Sequence, residues 1–149
     1  MGERTQSREL ALKVLYQMEH GSEGAEEALS MFETHFPAPL RLRGYAERLV
    51  KGVEAHREEI DRLLNQASRR WRIVRMPRVD RNILRMACYE MLFSSGEVPP
   101  KVAINEAVEM AKRYGGEESP AFVNGVLDSL LAVQGQGSAQ EANPAPHSE

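Results

Sequence analysis

Apolar residues recur every three or four positions along most of the chain, which is the period of an α-helix with one buried face. The first run carries Leu10, Val14 and Met18, and a glycine-rich stretch ends it. Further runs have their apolar centres at residues 25–36, 42–64, 79–91, 103–114 and 122–131. The run at 42–64 is long enough for one helix or two, and no stretch shows the alternation of a β-strand. The pattern therefore predicts an all-α bundle of about six or seven helices.

Prolines mark where several of these helices begin. Pro77, Pro99-Pro100 and Ser119-Pro120 each stand just before an apolar run, and proline is tolerated in the first turn of a helix but not in its interior. After residue 133 the chain consists largely of Gly, Ser, Gln, Ala, Asn and Pro without an apolar period, which is typical of disorder. The sequence predicts a helical domain over residues 1–133 and a disordered tail over residues 134–149.

Charge is strongly segregated although the net charge is only −3, from 19 basic and 22 acidic side chains. Residues 69–85 contain seven arginines and one acid, Asp80. At about 100° per residue, Arg78, Arg81 and Arg85 share one side of a helix. This basic ridge either binds a polyanion such as nucleic acid or pairs with acidic segments of the same chain. The pattern favours neither interpretation.

Motifs of enzyme chemistry are absent from the sequence. It has no glycine-rich phosphate loop, no His-Glu-x-x-His, no Cys-x-x-Cys and no Gly-x-Ser-x-Gly. The four histidines lack the spacing of metal ligands. Cys88 lies in an apolar run and is expected to be a buried, unreactive thiol. The sequence therefore predicts no enzyme, no cofactor and no metal.

The same sequence indicates the compartment. No apolar run approaches the roughly 18–20 residues that span a membrane. The polar first nine residues do not have the apolar core of a signal peptide, and a single cysteine cannot form an internal disulfide. We expect a soluble, reduced protein of the cytoplasm with no membrane partner.

Some side chains admit a structural or a binding role. Tyr16 projects away from the apolar face of the first helix, and Asp80 begins a helix whose face is otherwise apolar. In the first turns of the last helix, Phe122 could stack on an RNA base and Asn124 could hydrogen-bond one. On spacing alone, core packing of Phe122 and a local cap by Asn124 are the favoured interpretation. Gly125 is expected to permit close approach of a neighbouring helix.

Several stretches together resemble the NusB family of bacterial transcription antitermination factors. The first helix of that family is similar to SRELALKVLY at residues 7–16, and its central helix is similar to VDRNILRMACYE at residues 79–90. The most specific match is KVAINEAVEMAK at residues 101–112, followed by FVNGVLD at residues 122–128. The resemblance spans about residues 4–132 and leaves the tail outside.

The resemblance implies two small helical sub-bundles without catalytic activity. It implies binding of the boxA element of ribosomal RNA leader transcripts together with NusE, a small-subunit ribosomal protein. It also implies membership of an antitermination complex on RNA polymerase, and it leaves monomer and homodimer both open. A helical protein-interaction module without an RNA role is the alternative.

The resemblance also implies positions for the binding residues. RNA binding is expected at Arg4, Ser7, Arg8, Glu118, Phe122 and Asn124. Contact with NusE is expected at Tyr16 and Asp80. Uncharged and acidic residues separate the arginines of the N-terminal segment, so its affinity for RNA is expected to be lower. The block of arginines at residues 69–85 is a candidate to supply the missing affinity.

Overall fold

Helices account for the regular structure throughout the part of the chain described by this computed structural model. That part comprises residues 2–20, 24, 26–30 and 38–142, with His20 and residues 135–142 described by their backbone alone. The long helices are α1 (Glu3–His20), α2 (Leu40–Ala55), α3 (Arg57–Ala67), α4 (Arg78–Leu92), α5 (Pro100–Tyr114) and α6 (Ser119–Ala142). A 3₁₀ turn covers Ile73–Arg75, and residues 26–30 are also helical. The predicted all-α class is confirmed.

The helix boundaries follow the prolines. Pro39, Pro77 and Pro99 immediately precede α2, α4 and α5, and their φ angles of −57°, −55° and −59° are those to which the proline ring restricts the backbone. The long apolar run at residues 42–64 forms two helices, because the backbone leaves helical geometry at His56, where φ is −112°.

Helix α4 is the centre of the molecule. It contacts each of the other five long helices, and ten of its fifteen residues are buried. The remaining helices form the two expected groups around it, with α1 against α2 on one side and with α3 and α5 against α6 on the other. The charged residues of α4 that point inward must therefore find partners on neighbouring helices.

Two glycines permit close packing. A Cβ on Gly52 of α2 would lie 2.3 Å from the ring of Tyr89 on α4, and one on Gly115 would lie 2.6 Å from Ser119 and 2.9 Å from the carbonyl oxygen of Ala111. Gly125 was expected to serve the same purpose, and that expectation is wrong. In the described part of the chain, no atom outside its own stretch of helix lies within 4 Å of the place where its Cβ would be.

Helix α6 continues to Ala142, past residue 134, where the sequence predicts the start of a disordered tail. Residues 143–149 lie outside the described residues, so the disordered tail stays a prediction. The predicted helix at residues 25–36 is described only at residues 26–30. None of the described helices is long and apolar enough to cross a membrane.

Candidate nucleic-acid interface

Two of the residues expected to bind RNA are buried in the first helix. Ser7 is 1% exposed, and its Oγ donates a hydrogen bond of 2.9 Å to the carbonyl oxygen of Leu42. Arg8 is 3% exposed, and its Nε lies 3.0 Å from both carboxylate oxygens of Glu90. Its Nη1 donates to Oε1 of Glu106 at 3.2 Å. An RNA phosphate could reach this guanidinium only by displacing one of these carboxylates.

The buried pair belongs to a larger network. The hydroxyl of Tyr45 donates a hydrogen bond to Glu90, and Thr5 Oγ1 donates to Glu106 at 2.7 Å. Burial and the hydrogen bond to Glu90 raise the pKa of Tyr45. Burial lowers the pKa of Arg8, but the hydrogen bond and charge of Glu90 outweigh burial and raise it. The network therefore joins α1, α2, α4 and α5 through hydrogen bonds and ion pairs.

Arg4, by contrast, is accessible at the start of α1. Its side chain is 49% exposed, and its guanidinium carbon lies 3.8 Å above the centre of the Tyr45 ring. Its Nη2 lies 3.0 Å from Oε1 of Glu97, while Arg48 approaches the other oxygen of that carboxylate at 2.6 Å. Hydrogen bonds from Arg48 and Arg4 lower the pKa of Glu97. Two arginines share one carboxylate here, so the local surface is cationic.

The start of α6 presents the other predicted RNA contacts. Glu118 and Asn124 are exposed, and Asn124 Nδ2 donates to Oδ2 of Asp128 at 3.3 Å. Phe122 is half-buried and packs against the hydrophobic core. Ser119 Oγ accepts a hydrogen bond of 2.9 Å from the N–H of Gly116 and fixes the turn that leads into the helix.

Ion pairs place α1 beside the helix that precedes this turn. Besides Arg8 and Glu106, Glu9 Oε2 lies 2.5 Å from Nε of Arg113, near the end of α5. The chain then passes through Gly115 into α6. The two predicted RNA segments are thus connected through α5.

Tyr16 and Asp80, the expected NusE contacts, differ in accessibility. Tyr16 is 37% exposed, whereas Asp80 is 5% exposed in the first turn of α4. The Oδ1 atom of Asp80 is buried without a hydrogen-bond partner among the described residues. Asp80 therefore offers a partner only the small exposed part of its side chain.

Arg81 and Arg85 of the basic ridge form ion pairs with acidic side chains of other helices. Arg81 Nε lies 2.8 Å from Oε1 of Glu19, and Arg85 pairs with Asp61 at 2.8 Å and with Glu19 at 3.3 Å. Burial would raise the pKa of Glu19, but the hydrogen bond and charge of Arg81 lower it. Internal pairing is therefore the correct interpretation for Arg81 and Arg85. Sequence alone could not identify their partners, which lie on other helices.

Candidate chemistry outside these surfaces is sparse. No group of three His, Cys, Asp or Glu side chains that could hold a metal occurs within the described ranges. Cys88 is fully buried, as expected, and burial raises the pKa of its thiol to about 12. The arrangement of the described residues can thus supply charge, hydrogen bonds and stacking surfaces.

The fold and these surfaces define a class of small all-α proteins in which buried ion pairs tie the helices together and arginines occupy the surface. The chain belongs to the NusB family, whose sequence profile matches residues 5–132.

The chain is similar in sequence and in structure to individual members of this family. The chain is 49% identical over 132 residues to the transcription antitermination protein NusB of Trichlorobacter lovleyi, covering 89% of this chain and 92% of that protein. It is similar to the solution structure of NusB from Aquifex aeolicus, with a TM-score of 0.80, 29% identity and coverage of 93% of each chain. It is also similar to NusB in a crystal structure of antitermination factors NusB and NusE in complex with double-stranded RNA. That match has a TM-score of 0.76 and 29% identity and covers 88% of this chain and 97% of that one.

Proposed function

We propose that this chain is a transcription antitermination factor that binds the boxA element of ribosomal RNA leader transcripts together with NusE. The observation that carries the proposal is the similarity, over 88% of the chain, to a NusB protein solved with NusE and RNA. In this role the chain is a binding protein and not an enzyme. It joins an antitermination complex on RNA polymerase and acts in the cytoplasm, where bacterial transcription takes place.

The RNA surface runs from the start of α1 to the start of α6. Arg4 supplies phosphate attraction, and Phe122, Glu118 and Asn124 supply stacking and edge contacts to unpaired bases. The exposure of Arg4, Glu118 and Asn124 supports this assignment. Ser7 and Arg8 contribute by holding α1 in place, because their polar atoms are already bonded within the fold.

The NusE surface lies at the other end of α1. Tyr16 is the accessible contact. Asp80 is the second contact, and a partner reaches it only through the small exposed part of its side chain in the first turn of α4. NusE brings its own RNA contacts, so the joint affinity exceeds that of either protein through effective concentration.

Fluorescence anisotropy of labelled boxA RNA tests the proposal, measured with and without cognate NusE at two salt concentrations and beside a scrambled RNA. We expect binding that is selective for boxA, tightens with NusE and weakens with salt. Absence of selective binding even with NusE present would refute the proposal and favour a helical protein-interaction module.

A matched pair of variants locates the RNA surface. Arg4→Gln and Arg62→Gln remove the same charge from half-exposed arginines that each pair with a surface glutamate. We expect Arg4→Gln to reduce the slope of log affinity against log salt by about 0.7, the value for one phosphate of a single strand. Arg62→Gln, on α3, is expected to leave the slope unchanged. Equal effects of both substitutions would remove Arg4 from the interface.

A second pair tests the NusE surface in the absence of RNA. Tyr16 and Tyr114 are exposed to similar extents, 37% and 38%. Tyr16→Ala is expected to weaken NusE binding severalfold, as an aromatic contact residue should, and Tyr114→Ala is expected to leave it unchanged. Unchanged affinity in Tyr16→Ala would exclude that residue from the interface.

A further inference from the structure

The connection between α3 and α4 is a concentrated cationic surface. We name residues 69–75 the basic loop. Four of its seven residues are exposed arginines, at positions 69, 70, 72 and 75. Among the described residues no carboxylate pairs with any of the four, whereas exposed arginines such as Arg48 and Arg62 each have a glutamate partner. The loop therefore carries positive charge that the described part of the fold does not neutralise.

The backbone of the basic loop is held firmly. Ile73 is 1% exposed and anchors the 3₁₀ turn in the core, and its N–H donates to Oδ1 of Asn65 at 2.8 Å. Ser68 Oγ donates to the carbonyl oxygen of Trp71 at 2.7 Å. Arg81 Nη1 donates to the carbonyl oxygen of Val74 at 3.3 Å. A ligand that binds the arginines has little backbone entropy to overcome, because the loop is already ordered.

Trp71 adds an aromatic face to the arginines. It is the only tryptophan of the chain and is 51% exposed. Val74, on the same loop, is 71% exposed. Arginine forks bind phosphates and stack on bases, and an indole stacks on any unpaired base. Stacking of this kind requires a splayed base, which single-stranded RNA provides and a duplex does not.

We propose that the basic loop is a second RNA-binding surface, which contacts the phosphates of single-stranded RNA through Arg70, Arg72 and Arg75 and stacks a base on Trp71. This inference rests on the proposed function and extends it to a part of the chain that the family resemblance assigns no role. RNA is favoured over an acidic protein segment because the exposed arginines and an exposed indole lie within the same seven residues, and a polynucleotide alone offers regular phosphates together with flat bases.

Variants of the full chain, with cognate NusE and labelled boxA RNA, test the proposal. The triple variant Arg70→Gln, Arg72→Gln, Arg75→Gln is compared with the control Arg57→Gln, Arg62→Gln, Lys112→Gln. Both lose three positive charges, and each control residue pairs with a glutamate on its own or the preceding helix. We expect the triple variant to lower the salt slope by about 2 and to weaken binding about tenfold or more, and the control to change neither. Urea midpoints confirm that both variants fold.

Trp71 provides a direct signal. RNA that stacks on the indole quenches its emission, and Trp71→Phe gives the blank for fluorescence from NusE. Trp71→Ala is expected to weaken RNA binding about tenfold, and Trp71→Phe by less, because phenylalanine retains a stacking face.

The outcomes separate this inference from the proposed function. Selective boxA binding with an unchanged Trp71 emission and with equal affinities of the two triple variants would overturn the inference and leave the proposed function standing. If NusE alone quenched the Trp71 emission and the triple variant of Arg70, Arg72 and Arg75 no longer bound NusE, the inference would be overturned. The basic loop would then be a protein-docking surface. Failure of the wild-type chain to bind boxA RNA with NusE would overturn the proposed function and this inference together.

Discussion

Arg8 and Glu90 form a buried ion pair that crosses the interior of the protein. The Nε atom of Arg8 lies 3.0 Å from both oxygens of the Glu90 carboxylate, and the two side chains are 4% and 2% exposed. They are separated by 82 positions in the chain. Arg8 compensates the buried charge of Glu90, while Arg8 itself has a second counter-charge in Glu106, whose Oε1 lies 3.2 Å from its Nη1.

Removal of either charge is expected to destabilise the protein strongly. Arg8→Ala leaves Glu90 buried without its counter-charge, and we expect a loss of about 3–5 kcal/mol in the free energy of unfolding. Glu90→Gln should cost somewhat less, because Arg8 keeps its ion pair with Glu106. Urea denaturation followed by circular dichroism measures this loss. The exposed pair of Arg4 and Glu97 provides the control, since Arg4→Ala should cost about 1 kcal/mol or less.

The double variant Arg8→Met, Glu90→Leu separates charge from packing. It leaves neither of the two charges unpaired, so it should be more stable than either single variant. A double variant as unstable as the sum of the two single variants would show that the pair is not coupled.

Stability at acid pH is expected to depend on Glu19. Its pKa lies below the ordinary value of 4.5, so the unfolded chain binds a proton there more readily than the folded chain. The stabilisation is complete above pH 4.5 and is lost as the pH falls through the lowered pKa. We expect Glu19→Gln to cost about 2 kcal/mol at pH 7 and the difference from wild type to shrink below pH 4.5. Urea midpoints of wild type and Glu19→Gln, measured from pH 7 to below pH 4.5, check this. A difference between the two proteins that stayed constant with pH would contradict the prediction.

Two glycines should respond to alanine in opposite directions. Gly125 lies in α6 with open space at its Cβ position, so Gly125→Ala is expected to raise the free energy of unfolding by up to about 1 kcal/mol. Gly115→Ala places a methyl group against Ser119 and the Ala111 carbonyl and should lower it. Thermal unfolding of both variants measures the difference, and destabilisation by Gly125→Ala would show an unrecognised contact at that position.

The thiol of Cys88 should be inert in the folded protein. It is fully buried, and burial raises its pKa to about 12. An aromatic disulfide reagent at pH 8 is expected to react slower than in urea by roughly a thousandfold or more, because reaction requires unfolding. Comparable rates in buffer and in urea would mean that the helices around Cys88 open locally.

The helical fold could be predicted because its signals are local. Apolar spacing located the helices, and prolines located the starts of α4, α5 and α6. Cys88 was correctly expected to be buried. These features depend on residues a few positions apart, which the sequence displays directly.

The surfaces were harder to predict because they depend on contacts between distant residues. A helical wheel places Arg81 and Arg85 on a basic ridge, but it cannot show that Glu19 and Asp61 arrive from other helices to pair with them. The environment of Gly125 depends on packing in the same way. The roles in RNA and NusE binding stay predictions until the variants are measured.

The position of α4 has a consequence for the way the molecule opens. Because this helix touches all five of its long neighbours, no pair of helices can separate from the rest without exposing part of it. The backbone amides of its buried middle section should therefore exchange with deuterium only when the whole domain unfolds. The protection of these amides against exchange would therefore measure the free energy of global unfolding directly.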